Sequence, residues 1–179
     1  MKVLLAFARL VDWITDKFAL AAKWAVFLAC FISAANAIVR YTFNYSSNAW
    51  LEIQWYMFAA CVMLGAAQVL RVNEHVRVDV IYTRFSSRHR VYIDLFGLSC
   101  FLLPVMALMF YFSWPIFLGM YVHNEGSANA GGLQRWPAML MLPLGFMLMM
   151  LQGVAEIIKR IGWLAHLHEM DLQYKRPLQ

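Results

Sequence analysis

The sequence predicts an all-α integral membrane protein: four transmembrane helices, both termini cytoplasmic, and a short cytoplasmic interfacial helix between helices 2 and 3. Three observations carry this reading. Hydrophobic residues make up 63% of the 179 residues and charged residues 14%, against roughly 45–50% and about 25% in ordinary globular chains. The mean hydropathy is +0.59. The charges are also clustered, leaving four long apolar runs, and a helix crossing a hydrocarbon core of about 30 Å needs roughly 20 apolar residues. Continuous apolarity selects helices over barrel strands, which are shorter and alternate.

The first run, Phe18–Val39, is interrupted only by Lys23, close enough to its start for the ammonium to snorkel to the interface. Ile53–Leu70 carries no charge. Leu95–Val122 holds 28 uncharged residues and Trp136–Ala155 holds 20. The spans are placed at about 18–39, 50–70, 91–114 and 136–158, in a single membrane domain covering 1–179 with a cytoplasmic tail from 159. The third run is too long for a perpendicular crossing, because 28 helical residues reach roughly 42 Å. Its helix must tilt, project, or break at Pro115. Ser86 or Ser87 is placed to cap that helix. Pro137 suits the first turn of the fourth, where a missing N–H costs little. The run Val3–Ala8 is too short for a signal-peptide core, so the first span is expected to remain in the mature chain.

Charge sets the orientation. Both ends and the loop between spans 2 and 3 carry thirteen of the fifteen Lys and Arg, leaving Arg40 and Arg135 on the other side. By the positive-inside rule the richer side is cytoplasmic. Topology thus accounts for the basic balance, and no nucleic-acid partner is needed. Trp50, Trp55, Trp114 and Trp136 fall near the outer span ends and Trp24 and Trp163 near the inner ends, where amphipathic rings favour the headgroup level.

Packing and chemistry follow from what lies inside the spans. Ala21, Ala25, Ala29, Ser33 and Ala37 form a small-residue row spaced by four, which would let another backbone approach, from this chain or another subunit. The twelve methionines, crowded mainly into the last two spans, read as adaptable apolar packing. Ionisable groups in the spans are confined to Lys23, Glu52 and Glu156, all at ends, and the five histidines lie in loops or tails. Intramembrane charge is costly and therefore usually functional, so its scarcity argues against a self-contained enzyme or carrier. His166, His168, Glu169 and Asp171 match no closed metal site. Cys30, Cys61 and Cys100 lie in spans without C-x-x-C spacing. No catalytic residue, cofactor-binding residue or metal ligand is expected in this chain.

One stretch stands apart: Asn73-Glu74-His75-Val76-Arg77-Val78-Asp79-Val80-Ile81-Tyr82. Its alternation hints at a strand, but a lone strand at a membrane surface leaves its backbone unpaired. The preferred reading is a short interfacial helix with Asp79 as N-cap. Its charges read as a surface turn or a docking element.

This decapeptide after the second span, preceded by "SSNAWLEIQWYMF" and followed by "NAGGLQRWP" and "LPLGFMLMMLQGVAEIIKRI", resembles the small membrane subunit, DctQ type, of tripartite ATP-independent periplasmic (TRAP) transporters. The wording is similar to the branch labelled mannitol/chloroaromatic. The resemblance implies a bacterial inner-membrane subunit that scaffolds a large DctM-type subunit, with sodium sites in that partner and a periplasmic receptor capturing an organic acid. It implies interface or structural roles for Glu52, Trp55, Asn73, Glu74, His75, Arg77, Asp79, Arg135 and Trp136. Two other readings are a membrane anchor of a respiratory complex, which needs ligands inside the spans, and a small self-sufficient exporter, for which Glu52 is the only plausible transport-path charge.

Overall fold

Ala8, Thr15, Ala22, Ala29 and Asn36, spaced by sevens, are all buried. A seven-residue repeat keeps one seam of a helix against its neighbours when they wrap with a left-handed lean. In the computed structural model, which describes residues 1–73 and 85–167, this seam runs along one continuous helix, α1, Lys2–Phe43. Three more follow: α2, Asn48–Val72; α3, Ser87–Val122; and α4, Trp136–Leu164. All four are long and apolar enough to cross a membrane. Among the described residues the only β pairing is an isolated bridge, Gly126 to Gln134.

Helix α4 is the hub. It packs on α1, α2 and α3, and α1 packs on α2, whereas α3 makes no substantial contact with α1 or α2. The result is a three-helix core with α3 laid against the outside of α4. One apolar cluster joins Ala22, Leu64, Ala67 and Leu148, flanked by Phe18, Ala60 and Met141. A second joins Ala8, Val11 and Ala155, flanked by Leu151 and Ile158. Helices in lipid gain little from hydrophobic burial against one another, so close approach through small residues matters more. Gly145 shows how close: a Cβ there would sit 2.7 Å from Met63 Cβ and 2.8 Å from the Met63 carbonyl oxygen.

The four-spaced row expected on α1 is not the face used within the chain. Ala29 is buried and Ala25 partly so, but Ala21, Ser33 and Ala37 are exposed. Each step of four advances about 40° around a 3.6-residue helix, so such a row winds off the seam, while steps of seven stay on it.

Each helix is longer than its apolar run. At about 1.5 Å per residue, the 42 residues of α1 extend roughly 63 Å. Helix α3 passes Pro115 without breaking. Its irregularity lies at Leu98–Leu102, a π-helical turn in which the Leu103 N–H bonds the Leu98 carbonyl. Pro104 comes next and has no N–H to donate, and its ring crowds the carbonyl four residues earlier. Widening the turn by one residue relieves that crowding. Ser86 does occupy the N-cap position of α3, yet its hydroxyl pairs with His89 Nδ1 at 2.8 Å instead of a backbone amide. At the other ends, Asn44 closes α1 and Asn73 closes α2 in the left-handed conformation that asparagine tolerates. The segment 74–84, with Glu74, His75, Arg77, Asp79 and the expected interfacial helix, lies outside the described residues. So does 168–179, with His168, Glu169 and Asp171.

The Gly145 contact yields a stability test. Gly145→Val pushes its side chain into Met63 backbone that cannot rotate away, at an expected cost of about 1–3 kcal/mol. At Gly153 the nearest atoms are the flexible tips of Leu102 and Leu103, so Gly153→Ala should cost less. Thermal unfolding in mild detergent, followed by tryptophan fluorescence, checks this order; equal melting points for the two variants would contradict it.

Candidate functional site

Two polar constellations hold the bundle, one at each end. At the end where Lys2, Val72, Ser87 and Leu164 lie, α4 turns Gln152, Glu156, Lys159 and Arg160 toward its neighbours at helical spacings of three and four. The Thr15 hydroxyl of α1 sits 3.0 Å from Gln152 Oε1. Gln152 Nε2 donates to Asp12 Oδ1 at 2.9 Å and to Glu156 Oε1 at 3.1 Å. Lys159 Nζ bridges Asp12 Oδ1 at 3.0 Å and the Glu156 carboxylate. Arg160 pairs with Glu156 Oε2 at 2.6 Å and, through Nε and Nη2, with Asp94 Oδ2 of α3 at 3.1 Å. A second arm ties α2 to α1: Arg71 Nη1 meets Asp16 Oδ2 at 2.7 Å and the Asp12 carbonyl at 3.0 Å, and Gln68 Nε2 donates to Asp16 Oδ1. All four helices are joined in one chain of contacts.

Burial grades this network. Glu156 and Arg160 are deeply buried, whereas Asp16 is 43% exposed on its side chain. A buried charge that loses its partner stays desolvated without compensation, and removing one member typically costs about 3–5 kcal/mol. An exposed pair is worth about 0–1 kcal/mol. The Asp12–Glu156–Arg160–Asp94 part is therefore the part that fixes geometry. Its donors and acceptors are consumed by one another, so its chemistry is positional.

At the loop end the organiser is Glu52, in the first turns of α2. Its Oε1 accepts from the Ser127 hydroxyl and, at 2.9 Å, from Asn129 Nδ2; its Oε2 accepts from the Leu133 N–H at 2.7 Å. The α3–α4 loop thus folds over the start of α2. Asn48 Nδ2 donates to the Ala130 carbonyl and the Tyr56 hydroxyl to the Gln134 carbonyl. Arg135 pairs with Glu125 at 2.8 Å across the loop's base. The paired glycines do different work. Gly131 has φ +71, where side chains are strained, and a Cβ on Gly132 would lie 2.7 Å from Glu52 Oε1 and 2.5 Å from Ser127 Cβ. Beneath this roof lies a pocket of about 470 Å³, lined by Trp55, Ala59, Met120, Arg135, Met139 and Leu142 among others.

Of the residues singled out from sequence, Glu52, Trp55 and Arg135 meet at this pocket. Trp136 stands beside it, its ring edge-on to Tyr121 at 5.4 Å and its Nε1 donating to Gln134 Oε1. Asn73 lies at the opposite end, as the α2 terminus. Sequence reading missed Asp12, Asp16, Asp94, Gln152, Lys159 and Arg160 as a group, and the buried Asn36 on α1. A signal was present: Gln152, Glu156, Lys159 and Arg160 share one helical face beside apolar residues, where unpaired charge would be untenable. Among the described residues no three potential metal ligands are grouped to hold an ion.

Each constellation makes a prediction. Arg160→Met takes from Glu156 and Asp94 the buried guanidinium they share and should destabilise by about 3–5 kcal/mol. The double change Arg160→Met with Glu156→Leu should recover much of that loss, so non-additivity in a thermal-unfolding cycle is the readout. Purely additive losses would mean the pair is not coupled. Glu52→Gln removes the charge that gathers Ser127, Asn129 and Leu133. Faster amide exchange, confined to Glu125–Arg135, is the expected result by hydrogen-exchange mass spectrometry.

The family model described as tripartite ATP-independent periplasmic transporters, DctQ component, matches residues 29–162. Comparison with curated proteins and with solved structures gave no match. The matched span runs from the last third of α1 to the last turn of α4 and takes in the Glu52 cradle and the α1–α2 and α3–α4 loops. The family is a transporter component that works with a large DctM subunit and a periplasmic receptor. This multi-pass chain therefore belongs to the DctQ family, as the small membrane subunit of a TRAP transporter.

Proposed function

We propose that this chain is a static scaffold in the bacterial inner membrane, with both termini cytoplasmic. It would hold a DctM-type subunit that carries the substrate and sodium sites and moves as an elevator during sodium-driven symport. The observation that carries this reading is the distribution of charge and cover. The buried ionisable groups at the termini end are paired with one another, which leaves them no evident role in moving a solute. Meanwhile the apolar length of α3 is almost wholly uncovered, with Phe101, Leu108, Tyr111, Phe112 and Ile116 exposed. Rigid internal ties and a wide apolar exterior suit a body that is gripped by lipid and by a larger protein.

Orientation rests on the positive-inside rule. It places the Glu52 cradle, Trp55, Arg135 and Trp136 on the periplasmic side, where a receptor bearing an organic acid arrives; contact with that receptor is part of the proposal. The sequence likeness to the mannitol/chloroaromatic branch is the only pointer to substrate, and it names a label, not a solute. No cofactor is proposed for this chain; sodium belongs to the partner.

Co-expression with the large subunit, followed by purification in mild detergent through a tag on this chain, tests the scaffold role. The two should emerge together in fixed ratio. Recovery of this chain alone, with the large subunit folded and present in the same membranes, would contradict it. Glu52→Gln should lower transport only in proportion to complex yield; normal yield with abolished transport would point to a direct role in the solute's path.

A further inference from the structure

Helices α2 and α3 both lean on α4 without substantial contact with each other, and the space left between them at the loop end is the pocket beneath the Glu52 cradle. Its depth is apolar and formed by small or flexible side chains: Ala59 from α2, Met120 from α3, and Ala138, Met139 and Leu142 from α4. At about 470 Å³ it falls in the range of about 300–1,000 Å³ typical of sites that enclose a small molecule. It lies between two membrane helices, lined by Trp55 and, next to Trp136, by Arg135; tryptophan rings favour the boundary between acyl chains and headgroups.

The mouth is polar, and its charges are specific. Glu52 is already satisfied by three donors. Arg135 lines the pocket and holds Glu125, which is not itself part of the lining, 2.8 Å away; both are about half exposed. Among the described residues only Nη1 of the Arg135 guanidinium is engaged, which leaves Nε and Nη2 to donate. Planar guanidinium N–H groups match phosphate oxygens well. The adjacent carboxylate would repel a purely anionic head but attract an ammonium group. A cation at the rim with an anion bonded to it, above an apolar slot, complements an amphiphile that is itself a dipole.

We infer that this pocket binds one zwitterionic phospholipid of the surrounding leaflet, with an acyl chain between α2 and α3, its phosphate at Arg135 and its ammonium at Glu125. A lipid is the occupant the position favours, since the slot lies between two helices long and apolar enough to cross a membrane and Ala59, Met120, Ala138, Met139 and Leu142 give it an apolar lining beneath the polar mouth.

The test is native mass spectrometry of the full-length chain, reconstituted in nanodiscs of phosphatidylethanolamine, phosphatidylglycerol or an equal mixture and released into mild detergent. Wild-type chain should keep one phosphatidylethanolamine, and from the mixture should retain it in preference to phosphatidylglycerol. Arg135→Gln should weaken retention about tenfold, the effect of losing one charge-assisted contact. Ala138→Phe, which fills the slot and leaves the rim intact, should abolish it. The loop's base survives Arg135→Gln because the Arg135 N–H bonds the Glu125 carbonyl through backbone atoms; unchanged melting temperatures confirm that both variants fold. Equal retention by wild type and variants, preference for phosphatidylglycerol, or no retained lipid would each overturn the inference. So would a photoreactive residue in place of Trp55 that captures protein instead of lipid.

Discussion

The meeting of Asp12, Glu156, Lys159, Arg160 and Asp94 is the constraint on which the rest of the bundle depends. Helices immersed in lipid have no strong reason to prefer one neighbour or one register, because acyl chains solvate leucine as well as another helix does. Buried ions change that. Their desolvation makes them poor sources of net stability, but each one accepts very few positions of its partner. Sliding α1 past α4 by one turn, about 5.4 Å, would part the Asp12 carboxylate from both Lys159 and Gln152. The network therefore acts mainly by excluding wrong registers, while Ala8, Ala22 and Ala155 allow the close approach that it demands.

The loop end solves the same problem with one carboxylate. Glu52 gathers donors from the α3–α4 loop, so the position of that loop follows from where α2 begins. This adds a tie between the end of α3 and α2 to the direct packing of α3 on α4 and the Asp94–Arg160 pair, and together they hold a helix with little buried surface in place. The open side of α3 and the uncovered flank of α1 suit a protein whose family works as part of a larger membrane assembly.

Much of the architecture was legible in the sequence, for a physical reason: an uncharged run of twenty residues has few options besides a helix through the bilayer. The role of Pro137 in the first turn of α4 was legible on similar grounds, since it is local. The α1 seam was harder. Its sevens are carried by Ala8, Thr15, Ala22, Ala29 and Asn36, a mixture of small and polar residues that hides behind a more conspicuous row of alanines spaced by four. The start of α1 was obscured because Arg9, Asp12, Asp16 and Lys17 look like a solvated tail until their partners are known. Those partners lie far away in sequence; Lys159 and Asp12 are 147 residues apart. The loop-end site was half visible. Glu52 and the Gly131–Gly132 turn each stood out, but nothing local says that one closes over the other. Of the outcomes open for the long third run, a break at Pro115 is not the one seen; the irregularity is the π-helical turn ahead of Pro104, a proline that acts through the turn preceding it.

Helix α1 contains neither glycine nor proline over its 42 residues. It is thus a single beam, about twice as long as the hydrocarbon slab is thick, tied by Asp12, Thr15 and Asp16 near one third of its length and seated on its neighbours at Ala8, Ala22, Ala29 and Asn36 as well. A beam held at so many points has no joint at which to bend, so a load applied at either end is carried into α2 and α4 along the whole seam.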